Sequence, residues 1–322
     1  MPHVSILITA YNAEPWLGET LRSALGQTWR DLEVVLVDDG STDGTLAVAQ
    51  GFDDDRLRVI TGPNRGACAA RNTAIAHARG AFIQFLDADD LLSPNKIEAQ
   101  LRCLEQEPEG TVATCAWSRF RTGHLAEAEL IPQPDWKDFD PATDWLVQAW
   151  SGGGTMPTFT WLVPRAIVEA AGPWSEDLLI NQDGEYFARI LTHTARLRFC
   201  REAEAYYRSG LPGSVSQRRG EDAGRSLFRS YELCEEHLFA VDRSPAARRA
   251  VASLWQSFMF RVYPALPDLV AEAEARVEAL GGGNMKASVG GVLKPVRDAV
   301  GWKPTLRVYR LYQHLRRMWG SA

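Results

Sequence analysis

Between Ala81 and Leu92 the chain reads AFIQFLDADDLL, and this stretch restricts the fold more than any other. Phe82-Ile83-Gln84-Phe85-Leu86 has the length and the β-branched and aromatic content of a buried strand, yet it runs directly into Asp87, Asp89 and Asp90. Removing an unpaired carboxylate from water costs several kcal/mol or more, so such a strand needs a cation, a basic partner or open solvent at its tip. If strand geometry persists through Ala88, Asp87 and Asp89 project to the same side and can share one hard cation, Mg2+ or Mn2+, through oxygen. Alternatively the acids mark a helix N-terminus, with Asp90 or Ser93 capping a helix that starts at Pro94. The stretch alone leaves both readings open.

The preceding segments place that strand in a series. Val4–Ala10 reads as a first buried strand and is followed by a polar turn at Tyr11-Asn12, then by Leu17, Leu21, Ala24 and Leu25 at helical spacing. Residues 32–37 form a second strand that also ends in acid, Asp38-Asp39-Gly40-Ser41, and 57–60 a short third. After Gly62-Pro63-Asn64-Arg65-Gly66 comes a helix with Ala67, Ala70, Ala74 and Ala78 on one side, ended by Gly80. Strand and helix alternate with short connections, which predicts a mostly parallel sheet with helices on both faces. Ligands of such sheets sit beyond the carboxyl ends of the strands, where Thr9 and Tyr11, Asp38 and Asp39, and Asp87 to Asp90 converge. Neither a GxGxxG fingerprint nor a GxxxxGK[ST] loop is present.

The runs VSILITAYN, VVLVDDGSTDGT and NRG…ARN…A..RG.FIQFLDADD occur in that order within residues 1–100. Together they resemble the nucleotide-binding half of the family 2 glycosyltransferases, which have the GT-A fold. The resemblance implies an inverting enzyme that moves a sugar from a nucleotide-sugar donor, usually uridine-linked, to an acceptor hydroxyl. It implies that Thr9, Tyr11 and Asp39 contact the nucleotide with Asp38 supporting the turn, that Arg71 also touches it, and that Asp87 and Asp89 occupy the DxD motif. Asp87 then faces the ribose, and Asp89 holds the Mn2+ or Mg2+ that bridges the diphosphate.

Downstream, 112–120 reads as a strand, 143–150 as a short helix, and Trp136, Trp145, Trp150 and Trp161 as a mixture of core and sugar-stacking residues. Asn181-Gln182-Asp183-Gly184-Glu185 opens a helix with Phe187, Ile190 and Leu191 on its buried side. The family usually has an acidic pair here whose Asp is the catalytic base; this chain has Gln182 in place of the first acid and retains Asp183. An Asp with an ordinary pKa near 3.9 is a weak base, so partial burial or a neighbour such as Glu185 is expected to raise it. Two further strands, 197–200 and 203–208, end in Tyr207-Arg208, followed by Gly213-Ser214-Val215-Ser216. By resemblance that segment lies near the diphosphate, where Arg208 can pair with phosphate oxygens or else form a surface salt bridge.

From about Glu221 the pattern becomes helical: Leu227, Tyr231, Cys234 and Leu238 share one face, Ser244-Pro245 opens a second helix, and Leu269, Val270, Ala273 and Val277 mark a third. The expected organisation is therefore a GT-A module at 1–220, divided into a nucleotide-binding half at 1–100 and an acceptor and catalytic half at 101–220, with a helical region at 221–322. The formal charge of −6 argues against nucleic-acid partners but is uneven: residues 285–322 carry +7, leaving −13 for the remainder. The segment 305–319 combines apolar and basic residues, and lies either on an anionic membrane surface or against its own domain or a partner subunit. No apolar run reaches membrane-spanning length and no leader pattern opens the chain, which places the protein in the cytoplasm, with peripheral contact at the inner membrane surface under the first alternative. Cys68, Cys103, Cys115, Cys200 and Cys234 are scattered without a CxxC pair, as expected of buried free thiols. Glycan, lipid-linked and small-molecule acceptors all remain open. A non-catalytic nucleotide-sugar-binding protein is the alternative function, and a metal-dependent nucleotidyltransferase lacks a triphosphate-binding motif.

Overall fold

The computed structural model describes residues 3–211, 218–289 and 293–319, with side chains of the last segment as far as Gln313. The segment Gly213-Ser214-Val215-Ser216 lies outside the described residues. Strand β1 (Val4–Ala10) is flanked in parallel by β2 (Leu32–Asp38), with β3 (Leu57–Thr61) beyond it, and on its other side by β4 (Phe82–Asp87). The crossovers are α1 (Glu14–Leu25), α2 (Thr45–Gln50) and α3 (Ala67–His77). Next come β5 (Leu91–Leu92), α4 (Lys96–Leu104), β6 (Thr111–Phe120), α5 (Asp144–Trp150), β7 (Leu162–Pro164), α6 (Arg165–Ala171), α7 (Gln182–Thr192) and β8 (Arg196–Arg208). Helices α8 (Glu221–Val241), α9 (Pro245–Val262), α10 (Pro267–Ala279), α11 (Lys294–Val300) and α12 (Trp302–Trp319) follow.

The sheet has eight strands in the order β3-β2-β1-β4-β7-β6-β8-β5. Its first four are parallel, as the alternation requires; β7 runs antiparallel to both β4 and β6, while β8 is parallel to β6. Period-two alternation explains the continuously apolar strands. Ile6, Ile8, Val34 and Leu36 point into one core with Leu17, Leu21, Ile97 and Leu101, whereas Leu7, Val35, Val37 and Phe85 point into the other. The second core runs without interruption from the sheet through Trp161, Trp174 and Phe187 to Trp255, Phe258 and Leu306 of the C-terminal helices.

Several local expectations change. Strand β4 ends at Asp87 rather than continuing through Ala88; the Asp90 N–H donates to the Asp87 carbonyl across 3.1 Å, so the chain turns, and Asp87 and Asp89 are not related by strand alternation. Leu91 and Leu92 pair with Tyr206 and Ala205, which delays the next helix to Lys96, with Asn95 at its N-cap position. Asp90 does not cap it, because its Oδ1 accepts the Arg208 N–H at 2.8 Å. The Ser93 hydroxyl donates to Asn95 Oδ1 instead. Helix α3 stops at His77 in an extended Ala78, so Gly80 does not end it; Gly80 instead lets the chain pass close to β1, where a Cβ would collide with the backbone of Val4 and Ser5. The two strands expected at 197–208 form one, with a register jump in which Cys115 faces Cys200 and Ala116 faces Glu204. Four cysteines are buried and Cys103 is half-buried, all as free thiols.

Candidate active site

The register places Thr9 opposite Asp87 and Ala10 opposite Asp38, so β1, β2 and β4 finish at one edge. A cavity of about 530 Å³ opens there, lined by Thr9, Tyr11, Arg71, Asp87 to Asp90, Pro157 to Phe159, Gln182, Asp183 and Tyr207 among others. Its floor is prearranged by loop-to-loop bonds. Asn12, in the left-handed region at φ 50°, accepts the Thr42 N–H on Oδ1 (2.8 Å), and its own N–H donates to Ser41 Oγ (3.0 Å). The Ala13 N–H donates to Thr45 Oγ1 at 2.7 Å. These bonds hold Tyr11 half-exposed at the mouth, 52% accessible in a chain whose other large aromatics are mostly covered.

Asp38 and Asp39 are both buried and are not among the residues lining the cavity. Asp38 accepts the Ser41 N–H (3.3 Å) and the Thr61 hydroxyl (3.0 Å), which is the turn support expected of it. Asp39 accepts the Arg65 and Gly66 N–H groups at 2.8 Å each and so fastens the loop before α3 to the end of β2.

Arg71 is buried within the cavity wall. Its Nη2 donates to Asp87 Oδ1 (2.9 Å), its Nη1 to Gln182 Oε1 (3.2 Å), and its guanidinium lies 4.5 Å from the ring centre of Trp174. Trp174 is itself stacked on Tyr186 at 3.9 Å. Gln182, which occupies the position of the family's first acid, also donates to the Leu178 carbonyl. It orients Arg71 without adding a charge.

The acidic turn is crowded. Burial, followed by the adjacent charge of Asp87, pushes the Asp89 carboxyl up to about 6, and burial together with Asp89 and Asp87 raises Asp90 well above the usual carboxylate range. Arg208 lies behind this turn and not in the cavity. Fully enclosed, it donates from Nε to the Asp89 carbonyl (2.7 Å), from Nη2 to Glu19 (2.7 Å) and from Nη1 to Thr122 (3.2 Å), over the face of Phe120. Both expected roles are corrected: the side chain has no surface to offer a phosphate, and its ion pair is an internal strut.

Asp183 is the second residue of α7 and is exposed to the cavity. The helix start is anchored from outside. Asn181, at φ 56°, donates to Ser230 of α8 (2.7 Å), and a Cβ on Gly184 would strike the Asn181 side chain at 2.5 Å. Glu185 follows two residues after Asp183. It is buried and accepts from Arg189, His237 and Ser175; burial favours its neutral form, but these bonds outweigh burial and hold its pKa low.

A second cavity of about 250 Å³ also has Asp183 in its wall, so this residue lines both. Trp145, Trp150, Trp161, Tyr231, Ser257 and Met285 contribute to its wall. Of the four tryptophans singled out in the sequence, Trp145 and Trp161 are buried, Trp136 is partly buried and stacks on Phe199, and Trp150 is partly buried. The periodic pattern of α8 and α9 indicated a buried face but not that it roofs a cavity beside residue 183.

Residues 5–163 match the model of Glycosyl transferase family 2. The uncharacterized glycosyltransferase EpsJ of Bacillus subtilis strain 168 is 41% identical over 230 residues, 67% of this chain and 64% of that protein. Other curated relatives are matched over less of their length, 44% for a Haemophilus influenzae glycosyltransferase, so the chain spans under two thirds of these relatives. Among solved structures, residues 1–349 of S. aureus TarS in complex with UDP-GlcNAc superpose with a TM-score of 0.59 at 18% identity, over 87% of this chain and 89% of that one. The mannosyltransferase PcManGT from Pyrobaculum calidifontis, in complex with GDP-Man and Mn2+, gives 0.54 at 19% identity, over 100% and 88%. These likenesses bear out the GT-A fold, with a mixed α/β sheet and a helical C-terminal region. With the motif series, the sheet edge and the family match in agreement, the chain belongs to glycosyltransferase family 2.

Proposed function

We propose that this protein is an inverting glycosyltransferase that takes a sugar from a nucleoside-diphosphate donor, uridine-linked by preference, and transfers it to an acceptor hydroxyl. The observation that carries this reading is that one carboxylate, Asp183, lines both the large cavity at the sheet edge and the smaller cavity under the helices. A base in that position faces the donor on one side and the acceptor on the other, as in-line displacement requires. Support for a nucleotide donor comes from the UDP-GlcNAc and GDP-Man held by the two structural neighbours.

On this reading the base and ribose lie along Thr9 and Tyr11, and Asp39 acts on the nucleotide through the loop before α3 that its two N–H bonds fasten. Arg71 holds Asp87 toward the ribose. Asp89 and its neighbours are hard oxygen donors whose mutual repulsion a divalent cation would relieve, so the turn suits Mg2+ or Mn2+. Among the described residues no group of three or more His, Cys, Asp or Glu side chains could close a cation site alone, so diphosphate oxygens would complete it. The bound cation supplies charge neutralisation at the leaving diphosphate. Asp183 accepts the proton of the attacking hydroxyl while Gln182 and Arg71 keep the helix start in register with the donor. The acceptor hydroxyl belongs to a glycan, a lipid-linked sugar or a small molecule, and the reaction takes place in the cytoplasm.

The test is release of nucleoside diphosphate from a panel of nucleotide sugars, with Mn2+ or Mg2+ and then with chelator, in wild type and Asp183→Asn. Turnover is expected to fall by about 100- to 10,000-fold in the variant with donor binding retained, and to stop on chelation. Undiminished turnover by Asp183→Asn removes the base assignment, and failure of every nucleotide to stabilise the protein removes the donor reading.

A further inference from the structure

Helix α12 has two apolar faces. The inner one docks on α9: Trp302 packs against Phe260 (5.2 Å) and Tyr263 (5.1 Å), Leu306 is 4% exposed, and Arg310 Nη2 donates to the Phe260 and Arg261 carbonyls. At about 100° per residue, Val308, Leu311 and Tyr312 form a second stripe on the opposite side. These three are 57%, 60% and 56% exposed, and Val296 and Val300 of α11 are exposed beside them in sequence. Five of the eleven large apolar side chains exposed among the described residues therefore fall in this short terminal segment, which is far from a random scatter. A helix that had only to cover α9 would carry polar residues there.

We infer that α11 and α12 form a surface that docks on an anionic lipid bilayer, lying in its interface plane. The distribution of charge selects this occupant. Residues 285–322, the segment that holds the apolar stripe, carry +7 although Lys303 is paired with Glu274 and Arg310 is turned to α9, and the rest of the chain carries −13. An isologous contact with a second copy would bring two such cationic segments together, whereas an anionic headgroup layer complements the cations and receives the apolar stripe together. The helix lies in the plane and does not cross it: no helix among the described residues is long and apolar enough to span a membrane. The acidic body is repelled from the same surface, so the protein is oriented as well as attached.

The attachment point is linked to the second cavity. Helix α9 supplies Leu254 and Ser257 to the cavity wall and, three residues after Ser257, Phe260 to the bed of α12, about 5 Å further along the helix axis. Resting on the acceptor reading of that cavity, this geometry brings a lipid-linked acceptor to the entrance next to Asp183. The docking surface itself is independent of that reading.

Sedimentation of the full chain with vesicles of phosphatidylcholine alone, or containing phosphatidylglycerol, tests the inference. Binding is expected with the anionic vesicles, weakening as salt is raised, and falling by about tenfold or more in Val308→Ser/Leu311→Ser/Tyr312→Ser. These side chains are exposed, and an unchanged circular dichroism spectrum of the variant confirms that the fold is kept. Equal pelleting of variant and wild type, binding indifferent to lipid charge, or a dimer in gel filtration that the variant abolishes in the absence of vesicle binding would each overturn it, the last by assigning the stripe to a second copy. None of these readouts uses catalysis, so failure here leaves the transfer reaction to stand or fall by itself.

Discussion

Arg71 Nη2 meets Asp87 Oδ1 at 2.9 Å while the same guanidinium reaches Gln182 at 3.2 Å, so one side chain ties the acidic tip of β4 to the first turn of α7. The two halves of the proposed site are thereby placed relative to each other by a single planar group. Its charge is balanced by one carboxylate, and its second partner is neutral.

From this tie, Arg71→Lys is expected to weaken nucleotide binding by about tenfold, because an ammonium cannot serve two partners in a fixed fork and stack on Trp174. Titration calorimetry with UDP and Mn2+ measures it. Gln182→Glu keeps the acceptor oxygen and should remain within a few-fold of wild type, whereas Gln182→Ala should lower kcat. Equal behaviour of the two Gln182 variants would show that the bond to Arg71 has no positioning role.

Arg208→Met should destabilise the protein by about 2–4 kcal/mol, since the Asp89 carbonyl and Thr122 lose buried donors while Glu19 stays half-exposed and can be rehydrated. Urea denaturation reads this loss. Arg208→Lys should recover only part of it, and a wild-type midpoint for the lysine variant would contradict the role of Arg208 as an internal strut.

Lys96 is fully buried with its Nζ bonded to Gln84, and burial pushes its pKa down to about 8 despite nearby Cys115 and Cys200. The unfolded chain keeps this proton up to about 10.4, so between about pH 8 and 10 the unfolded state binds more protons and stability rises with pH. Below pH 8 the penalty is fully present. Relative to Lys96→Met, wild type should therefore gain about 3 kcal/mol across that window in chemical denaturation. A constant difference between the two proteins would mean that the buried amine keeps its proton across the whole window, with no lowering of its pKa.

Trp150→Ala should raise the acceptor KM by about tenfold through lost stacking area in the second cavity, and leave hydrolysis of the donor by water within about twofold. A parallel loss in both reactions would instead place Trp150 in the support of Asp183.

The parallel pairing of the first strands and the gathering of Thr9, Asp38 and Asp87 at one edge were legible in the sequence, because short crossovers and apolar runs buried on both faces require it, whereas the strand order β2-β1-β4 came from the structure. Pattern also placed Asp183 at the start of a helix with one apolar face, but only the family resemblance singled it out as a base. The roles of Arg208 and Gln182 could not. Arg208 joins Glu19 and Asp89 across 189 and 119 positions, and Gln182 meets Arg71 across 111. Whether an arginine faces a phosphate or closes inside a wall depends on which partners packing brings within 3 Å, and local pattern carries no record of that. Periodicity likewise showed that α8, α9 and α12 have apolar faces, but not which would be covered. Local pattern was enough for the sheet, its acidic edge and the family. Which charges are enclosed and which reach the cavity was settled by packing, because burial is a property of distant segments meeting.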